Sequence, residues 1–254
     1  IGLVLPGGGA RAAYQVGVLK GISDIQGRTE KSPFDVISGT SAGAINASMI
    51  SSEIDNFHKS IFKLENVWGG FTTNQIYRTG KLFMLKQSLH WLLTLISGGF
   101  IIKNPRSLLD NQPLRDLLKQ KIDFETINHN IHSGALDALI VTAASYEKKE
   151  SVSFFTTSAK IENWKKVGRS GKKSEINVEH LMASVALPLI FPAITIEEQF
   201  YGDGAMRQET PLSPAIRLGA TNLLIISTES PKDEVVNSSK KDYPNFSEIG
   251  GYIL

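Results

Sequence analysis

The 254-residue chain has no cysteine. That absence excludes disulfides, thiolate metal sites and cysteine nucleophiles together, and it leaves the redox compartment open. Charge of one sign is also missing: 27 Lys and Arg offset 25 Asp and Glu, a formal net charge of +2. Without a basic footprint, nucleic acid is not an expected partner. No uninterrupted apolar run reaches the ~18 residues of a membrane span; the most apolar segment, WLLTLISGGFII at residues 91–102, stops short of it. No charged leader precedes an apolar run, because Ile1-Gly2-Leu3-Val4-Leu5 reads as a strand. The first residue is not Met and the sequence stops abruptly at Gly250-Gly251-Tyr252-Ile253-Leu254, so truncation at both ends is expected, with any targeting segment lost. Localisation stays open between cytoplasmic and secreted, with membrane association allowed. Neither H-E-x-x-H nor a cysteine cluster is present, so no metal and no cofactor is expected.

What is there is an ordinary globular composition, 41% hydrophobic and 20% charged, at a length that suits one α/β domain or at most two small ones. Residues 3–5 form a short buried strand ended by Pro6 and three glycines. Residues 10–23 read as a helix with Ala13, Val16, Leu19 and Ile22 on one face. Residues 34–37 are a second apolar run, residues 38–41 a tight turn, and residues 42–52 a helix of small residues. Strand, glycine turn and helix, twice over, argue for a parallel sheet with crossover helices. Further helices are expected over residues 56–68, 81–95 and 113–121, and a hairpin over residues 135–145 and 151–157. The basic stretch 165–175 reads as a mobile loop. Residues 194–196 and 200–201 read as strand, 213–218 as a short helix, 222–228 as a late buried strand, and 230–245 as polar and flexible.

Three glycine-framed segments carry chemistry. Gly39-Thr40-Ser41-Ala42-Gly43 fits G-x-S-x-G, in which a strand runs into a helix and small neighbours relieve the crowding around a strained, exposed serine. The serine oxygen then stands at a helix N-terminus, where developing negative charge is favoured. A plain glycine turn is the bland alternative, weakened by the apolar run just before it. Gly7-Gly8-Gly9-Ala10-Arg11 follows the first strand, and consecutive glycines let backbone N–H groups face a ligand. It lacks the G-K-[ST] ending of a P-loop, and Ala12 stands where a dinucleotide fingerprint has its third glycine. An oxyanion hole near Ser41 explains the loop better. Gly202-Asp203-Gly204-Ala205 lets a carboxylate approach another backbone closely, or is simply a D-G turn.

The histidines limit the mechanism. His58, His90, His129, His132 and His180 all precede Asp203, so no Ser–acid–His order can be completed within the sequence. His58 and His90 fall on expected helices, His129 and His132 in a polar stretch, and His180 at the start of a helix. Each reads as a surface or core histidine. A serine paired directly with a carboxylate, Ser41 with Asp203, is the simplest arrangement left.

Taken together, G-G-G-x-R at Gly7 to Arg11, G-x-S-x-G at Gly39 to Gly43 and D-G-A at Asp203 to Ala205 resemble the patatin-like phospholipase family, in that family's order. A fourth stretch, Ala183-Ser184-Val185-Ala186-Leu187-Pro188 with Phe191-Pro192, resembles it too. The resemblance spans residue 1 to about residue 228 and implies one patatin-like catalytic domain over 1–254. The implied fold is three-layered, a central, mostly parallel sheet flanked by helices. The implied activity is hydrolysis of acyl esters of phospholipids or related lipids by a Ser41–Asp203 dyad, without a metal. In that reading N–H groups of Gly7, Gly8 and Gly9 hold the oxyanion, and desolvation lifts the aspartate toward a useful base. Arg11 positions the loop, meets a lipid phosphate, or forms a surface ion pair. The apolar run 91–102 is either a core helix or a contact with a lipid surface. A thioesterase or general carboxylesterase with the same dyad remains open. So do a non-catalytic lipid-binding module and a triad hydrolase whose histidine lies beyond the sequence.

Overall fold

Four strands are buried along their whole lengths: β1 (Gly2–Leu5), β2 (Val36–Thr40), β3 (Ala138–Ser145) and β4 (Glu150–Thr157). Strands of that kind need cover on both faces. In the computed structural model, which describes residues 1–27, 30–78, 107–207 and 211–228, they have it. Leu3, Leu5, Ile37, Leu139, Val141 and Phe154 enter one large core, and the alternate residues Val4, Val36, Ala138, Ile140 and Phe155 enter a smaller one. The two-residue period of a strand thus divides the hydrophobic residues between two layers.

The large core is closed by six helices: α1 (Ala13–Gln26), α2 (Ala42–Ser52), α3 (Phe57–Gly70), α5 (Gln112–Lys121), α6 (Phe124–His132) and α7 (Val178–Ser184). A short turn of helix, α4 (Thr73–Ile76), follows α3. The opposite face is covered by α8 (Ser213–Arg217) through Ala215, with Leu218 and Ala220 just beyond it. Helix α2 is buried at every position, which its small residues permit; it packs on β2 and β3 and against α3, α6 and α7.

The remaining strands are β5 (Trp164–Lys166), β6 (Arg169–Lys173), β7 (Ile194–Ile196), β8 (Gln199–Asp203) and β9 (Leu223–Ile225). The nine-stranded sheet runs β5-β6-β4-β3-β2-β1-β9, with the β7–β8 hairpin attached to β3 through β8. Strands β3, β2, β1 and β9 are parallel. Antiparallel pairs lie outside that block, at β3–β4, β5–β6, β7–β8 and β3–β8. This is the mixed, mostly parallel central sheet flanked by helices that the sequence implies.

Several local expectations change. The basic stretch expected to be a loop is the β5–β6 hairpin. Its turn uses Gly168 at φ 69°, and the Trp164 ring fills the space over Gly171, where a Cβ would come within 2.1 Å of it. Trp164 stacks on Phe155 at 4.7 Å and Arg217 lies over the Trp164 ring, 5.5 Å from its centroid, so the charged strands have an aromatic anchor. Residues 38–40 continue β2 instead of turning, and the bend falls at Ser41 alone. His129 and His132 lie on helix α6. The late strand β9 is short and only half-buried, because it pairs with β1 at the end of the described sheet. The expected helix 81–95, the apolar run 91–102, His90 and the polar segment 230–245 lie outside the described residues. Among the described residues no helix is long and apolar enough to cross a membrane.

Candidate active site

Strand β2 runs directly into α2, and Ser41 is the bend between them. Its backbone sits at φ 53°, ψ −130°, a region costly for a residue with a side chain. The flanking glycines make the bend possible. A Cβ on Gly39 would lie 2.5 Å from the Ala44 Cα, and one on Gly43 would lie 2.0 Å from the Leu5 carbonyl oxygen. The strained peptide is then pinned from below. The Ser41 N–H donates to Ser184 Oγ at 2.8 Å, and the Ser184 hydroxyl donates to the Thr142 carbonyl at 2.6 Å. Ser184 belongs to the Ala183–Pro188 stretch noted in the sequence, where no role attached to it.

Asp203 reaches the same point from the opposite direction. Strand β4 occupies one edge of β3 over its full length. Along the other edge β2 pairs in parallel as far as Thr40 opposite Thr142, and β8 pairs antiparallel, ending with Asp203 opposite Ala143. Two strands therefore meet with their C-terminal ends facing each other at adjacent residues of β3. At that junction the Ser41 hydroxyl donates to Asp203 Oδ2 at 2.7 Å, while Oδ1 accepts the Ala205 N–H at 2.9 Å. Gly204 is required by the approach, since a Cβ there would fall 2.2 Å from the Thr142 oxygen. Asp203 is only 1% exposed. Burial pushes its carboxyl up to about 6, against the two hydrogen bonds, which pull it down.

The glycine loop closes the arrangement from above β1. A Cβ on Gly7 would lie 3.1 Å from Ser41 Cβ and 3.4 Å from Ala205 Cβ, so the loop, the serine and the aspartate turn are mutual neighbours. Gly9 takes a left-handed conformation, φ 55°, as the chain enters the 3-10 turn Gly9–Ala12. None of the N–H groups of Gly7, Gly8 and Gly9 donates to an acceptor among the described residues. They border a cleft of about 270 Å³ that also holds Ser41, Asp203 and Arg11. Arg11 is exposed and forms no ion pair among the described residues, so the surface-pair alternative finds no partner there.

On the far side of Ser41 opens a second, larger groove of about 510 Å³. Its walls are mainly apolar and include Ile45, Trp68, Phe71, Ile76, Leu114 and Phe191. Ser41, Gly9 and Leu187 belong to both cavities, which places the hydroxyl where a polar cleft meets an apolar one. Nothing in the local sequence marks this groove, because its lining comes from α1, α2, α3, α4, α5 and the segment after α7.

Among the described residues no histidine is hydrogen-bonded to Ser41 or Asp203. His58 Nδ1 meets Ser23 Oγ at 3.1 Å, His132 Nδ1 meets the Asn128 carbonyl at 2.7 Å, and His180 Nδ1 meets Asn177 at the N-terminus of α7. His180 is buried edge-on against Phe154, and burial, with Lys172 adding to it, lowers its ring to about 4. Among the described residues no group of three or more His, Asp or Glu side chains is placed to hold a metal ion.

Known proteins resemble the chain in sequence and in fold. The family model for patatin-like phospholipase matches residues 3–216. The lysophospholipase nte1 of Aspergillus terreus is 44% identical over 55 residues, which is 22% of this chain and 3% of that protein. Among solved structures, VipD from Legionella pneumophila superposes with a TM-score of 0.50 at 16% identity, over 88% of this chain and 49% of VipD. The chain thus spans about half the length of one relative and a small fraction of the other, and the likeness to VipD is one of fold. With the family model covering the serine elbow and the aspartate turn in a single match, the chain belongs to the patatin-like phospholipase family.

Proposed function

We propose that the protein hydrolyses acyl esters of phospholipids or related lipids, with Ser41 as nucleophile and Asp203 as its base. The observation that carries the reading is the 2.7 Å hydrogen bond from the Ser41 hydroxyl, on a strained elbow, to a buried Asp203 raised to about 6. A carboxylate near its ordinary value is a weak base at neutral pH; one at about 6 is still ionised at pH 7 and holds a proton far better. Ser41 Oγ attacks the ester carbonyl and its proton passes to Asp203 Oδ2. The tetrahedral oxyanion forms beside the N–H groups of the glycine loop, which have no acceptor among the described residues, an electrostatic contribution of the kind that dominates acyl transfer. As the carbon–oxygen bond to the alcohol breaks, Asp203 returns the proton to the departing oxygen. Water then attacks the acyl-serine, Asp203 takes its proton, and Ser41 recovers it when the fatty acid leaves.

The two cavities give the substrate a direction. The apolar groove suits the acyl chain, because burying methylenes there removes them from water at about 0.8 kcal/mol each. The polar cleft with Arg11 suits the alcohol side, with a phosphate within reach of the guanidinium. Contact with a lipid surface follows from such a substrate. The test is labelling with a fluorophosphonate probe, followed by turnover of phospholipid vesicles and of a soluble short-chain ester. Labelling confined to Ser41 and faster turnover of vesicles are expected. Faster turnover of acyl thioesters or short soluble esters redirects the substrate class, and near-normal turnover by Asp203→Asn overturns the dyad.

A further inference from the structure

Behind the glycine loop lies a chain of buried polar side chains that takes no part in the proposed reaction. Gln15 and Asn46 are both fully buried. The Trp68 indole N–H donates to Asn46 Oδ1 at 2.7 Å, and Asn46 Nδ2 donates to Gln15 Oε1 at 2.9 Å and to the Ala12 carbonyl at 3.2 Å. Gln15 Nε2 donates in turn to the Pro6 carbonyl at 2.8 Å and the Ile226 carbonyl at 3.2 Å. An indole can only donate. It therefore fixes which way the Asn46 amide faces, and Asn46 fixes Gln15, so the network has a single direction ending at Pro6 and Ile226. Both amides use both of their N–H groups, the condition under which a buried network rigidifies what it touches.

Two further hydrogen bonds continue along the loop. The Thr228 hydroxyl donates to the Gly7 carbonyl at 2.6 Å, and the Arg11 N–H donates to the Gly8 carbonyl at 3.1 Å. Three consecutive carbonyls, those of Pro6, Gly7 and Gly8, are thus each held. In a trans peptide the carbonyl and the next N–H lie in one plane and point opposite ways, and no peptide here is cis. Holding these three carbonyls therefore orients the N–H groups of Gly7, Gly8 and Gly9, the three beside Ser41 that donate to no acceptor among the described residues. Three glycines in a row would otherwise leave those planes free to rotate. Thr228 sits so close that a Cβ on Gly8 would lie 2.3 Å from its Oγ1.

We propose that Thr228 and Gln15 are positioning residues, which grip the glycine loop by its carbonyls and so aim its N–H groups at the oxyanion formed at Ser41. The inference rests on the acyl-hydrolase reading. Because Trp68 lines the apolar groove, the same hydrogen-bond chain joins the groove wall to the loop.

The test compares Thr228→Val, which keeps the shape and loses the hydroxyl, with Thr228→Ser, which keeps the hydroxyl, and with Gln15→Met. Each is assayed on a soluble p-nitrophenyl ester, with rates expressed per folded molecule. Thr228→Val and Gln15→Met are expected to lower kcat roughly tenfold or more with KM within about twofold, since misaimed donors weaken only the transition state. Thr228→Ser is expected to restore kcat, which a merely structural threonine would not require. Thr228→Ala takes the place of Thr228→Val if the latter does not fold. A folded Thr228→Val with wild-type kcat, a change in KM alone, or a Thr228→Ser as impaired as Thr228→Val overturns the inference while leaving the dyad standing. A wild-type protein that turns over no ester removes the acyl-hydrolase reading, and the inference with it.

Discussion

Two glycine-rich turns frame Ser41, and they are held in different ways. The elbow from Gly39 to Gly43 is locked by backbone contact: an added Cβ at either glycine runs into main-chain atoms of α2 or β1 at 2.5 Å or less. The loop from Gly7 to Gly9 has more room. A Cβ on Gly9 would meet nothing within 4 Å, and the obstacle at Gly8 is a side chain, Thr228. The elbow is therefore a steric solution that tolerates no change, and the loop a conformational one maintained by hydrogen bonds from distant segments. Rigidity is placed at the proposed nucleophile, while adjustable aim is placed at the proposed oxyanion donors.

The largest effect should come from the chemistry seated at the elbow. Ser41→Ala and Asp203→Asn are each expected to reduce ester turnover by roughly 10⁴-fold or more while leaving a folded protein, because nucleophile and base act as a unit. Initial rates on vesicles and on a soluble ester, beside circular dichroism, check this. In the wild type kcat/KM should rise with pH through about 6 as Asp203 ionises, and a pH–rate profile reads it directly.

Next comes the contrast between the glycines. Gly43→Ala should cost at least about 3 kcal/mol, enough to deplete the folded state, because a methyl must displace backbone. Gly9→Ala should cost about 1–2 kcal/mol for its left-handed conformation and still fold. Urea titrations of the two variants would break the comparison if their costs came out equal.

Asp203→Asn should also stabilise the fold at high pH. The folded carboxyl titrates at about 6, above its ordinary value, so the native state binds the proton more tightly than the unfolded chain. Stability then falls as pH rises from about 4 to about 6, by about 3 kcal/mol. The variant should gain up to that amount at pH 8 and nothing at pH 4, as thermal melts at the two pH values would show. The smallest expected effect is that of His180→Ala, whose turnover per folded molecule should stay within about twofold of wild type; a large loss in kcat at unchanged stability would reinstate a histidine base.

The elbow was legible in the sequence because its requirements are local: a strand, a glycine, a serine and a glycine at fixed spacing. The glycine loop and the Asp203 turn were legible for the same reason. What supports them was not. Gln15, Asn46, Ser184 and Thr228 sit at positions where a polar residue in a helix or at a strand end ordinarily means solvent, and only the fold shows them buried or gripping a carbonyl. Helix α6 is obscured in the sequence by its polar residues although its signals are present: Asp123 caps it by accepting the Thr126 N–H, and Ile127 and Ile131 share a face. The β5–β6 hairpin reads as a loop in the sequence because five charged residues hide the aromatic contact beneath them.

The head-on meeting of β2 and β8 makes β3 a ruler for the proposed catalytic pair. Ser41 and Asp203 lie 162 positions apart in the chain, yet their spacing is set by two successive residues, Thr142 and Ala143. A slip of one residue by either strand would move its end by about 3.4 Å and turn its side chains to the opposite face. The loops that join β3 to these two strands can lengthen, shorten or be replaced without changing that measurement, provided both strands still align on β3. The geometry of the proposed reaction is in this sense stored in one strand that contributes no reacting atom, and the loops strung between Ser41 and Asp203 are free to diverge toward different substrates.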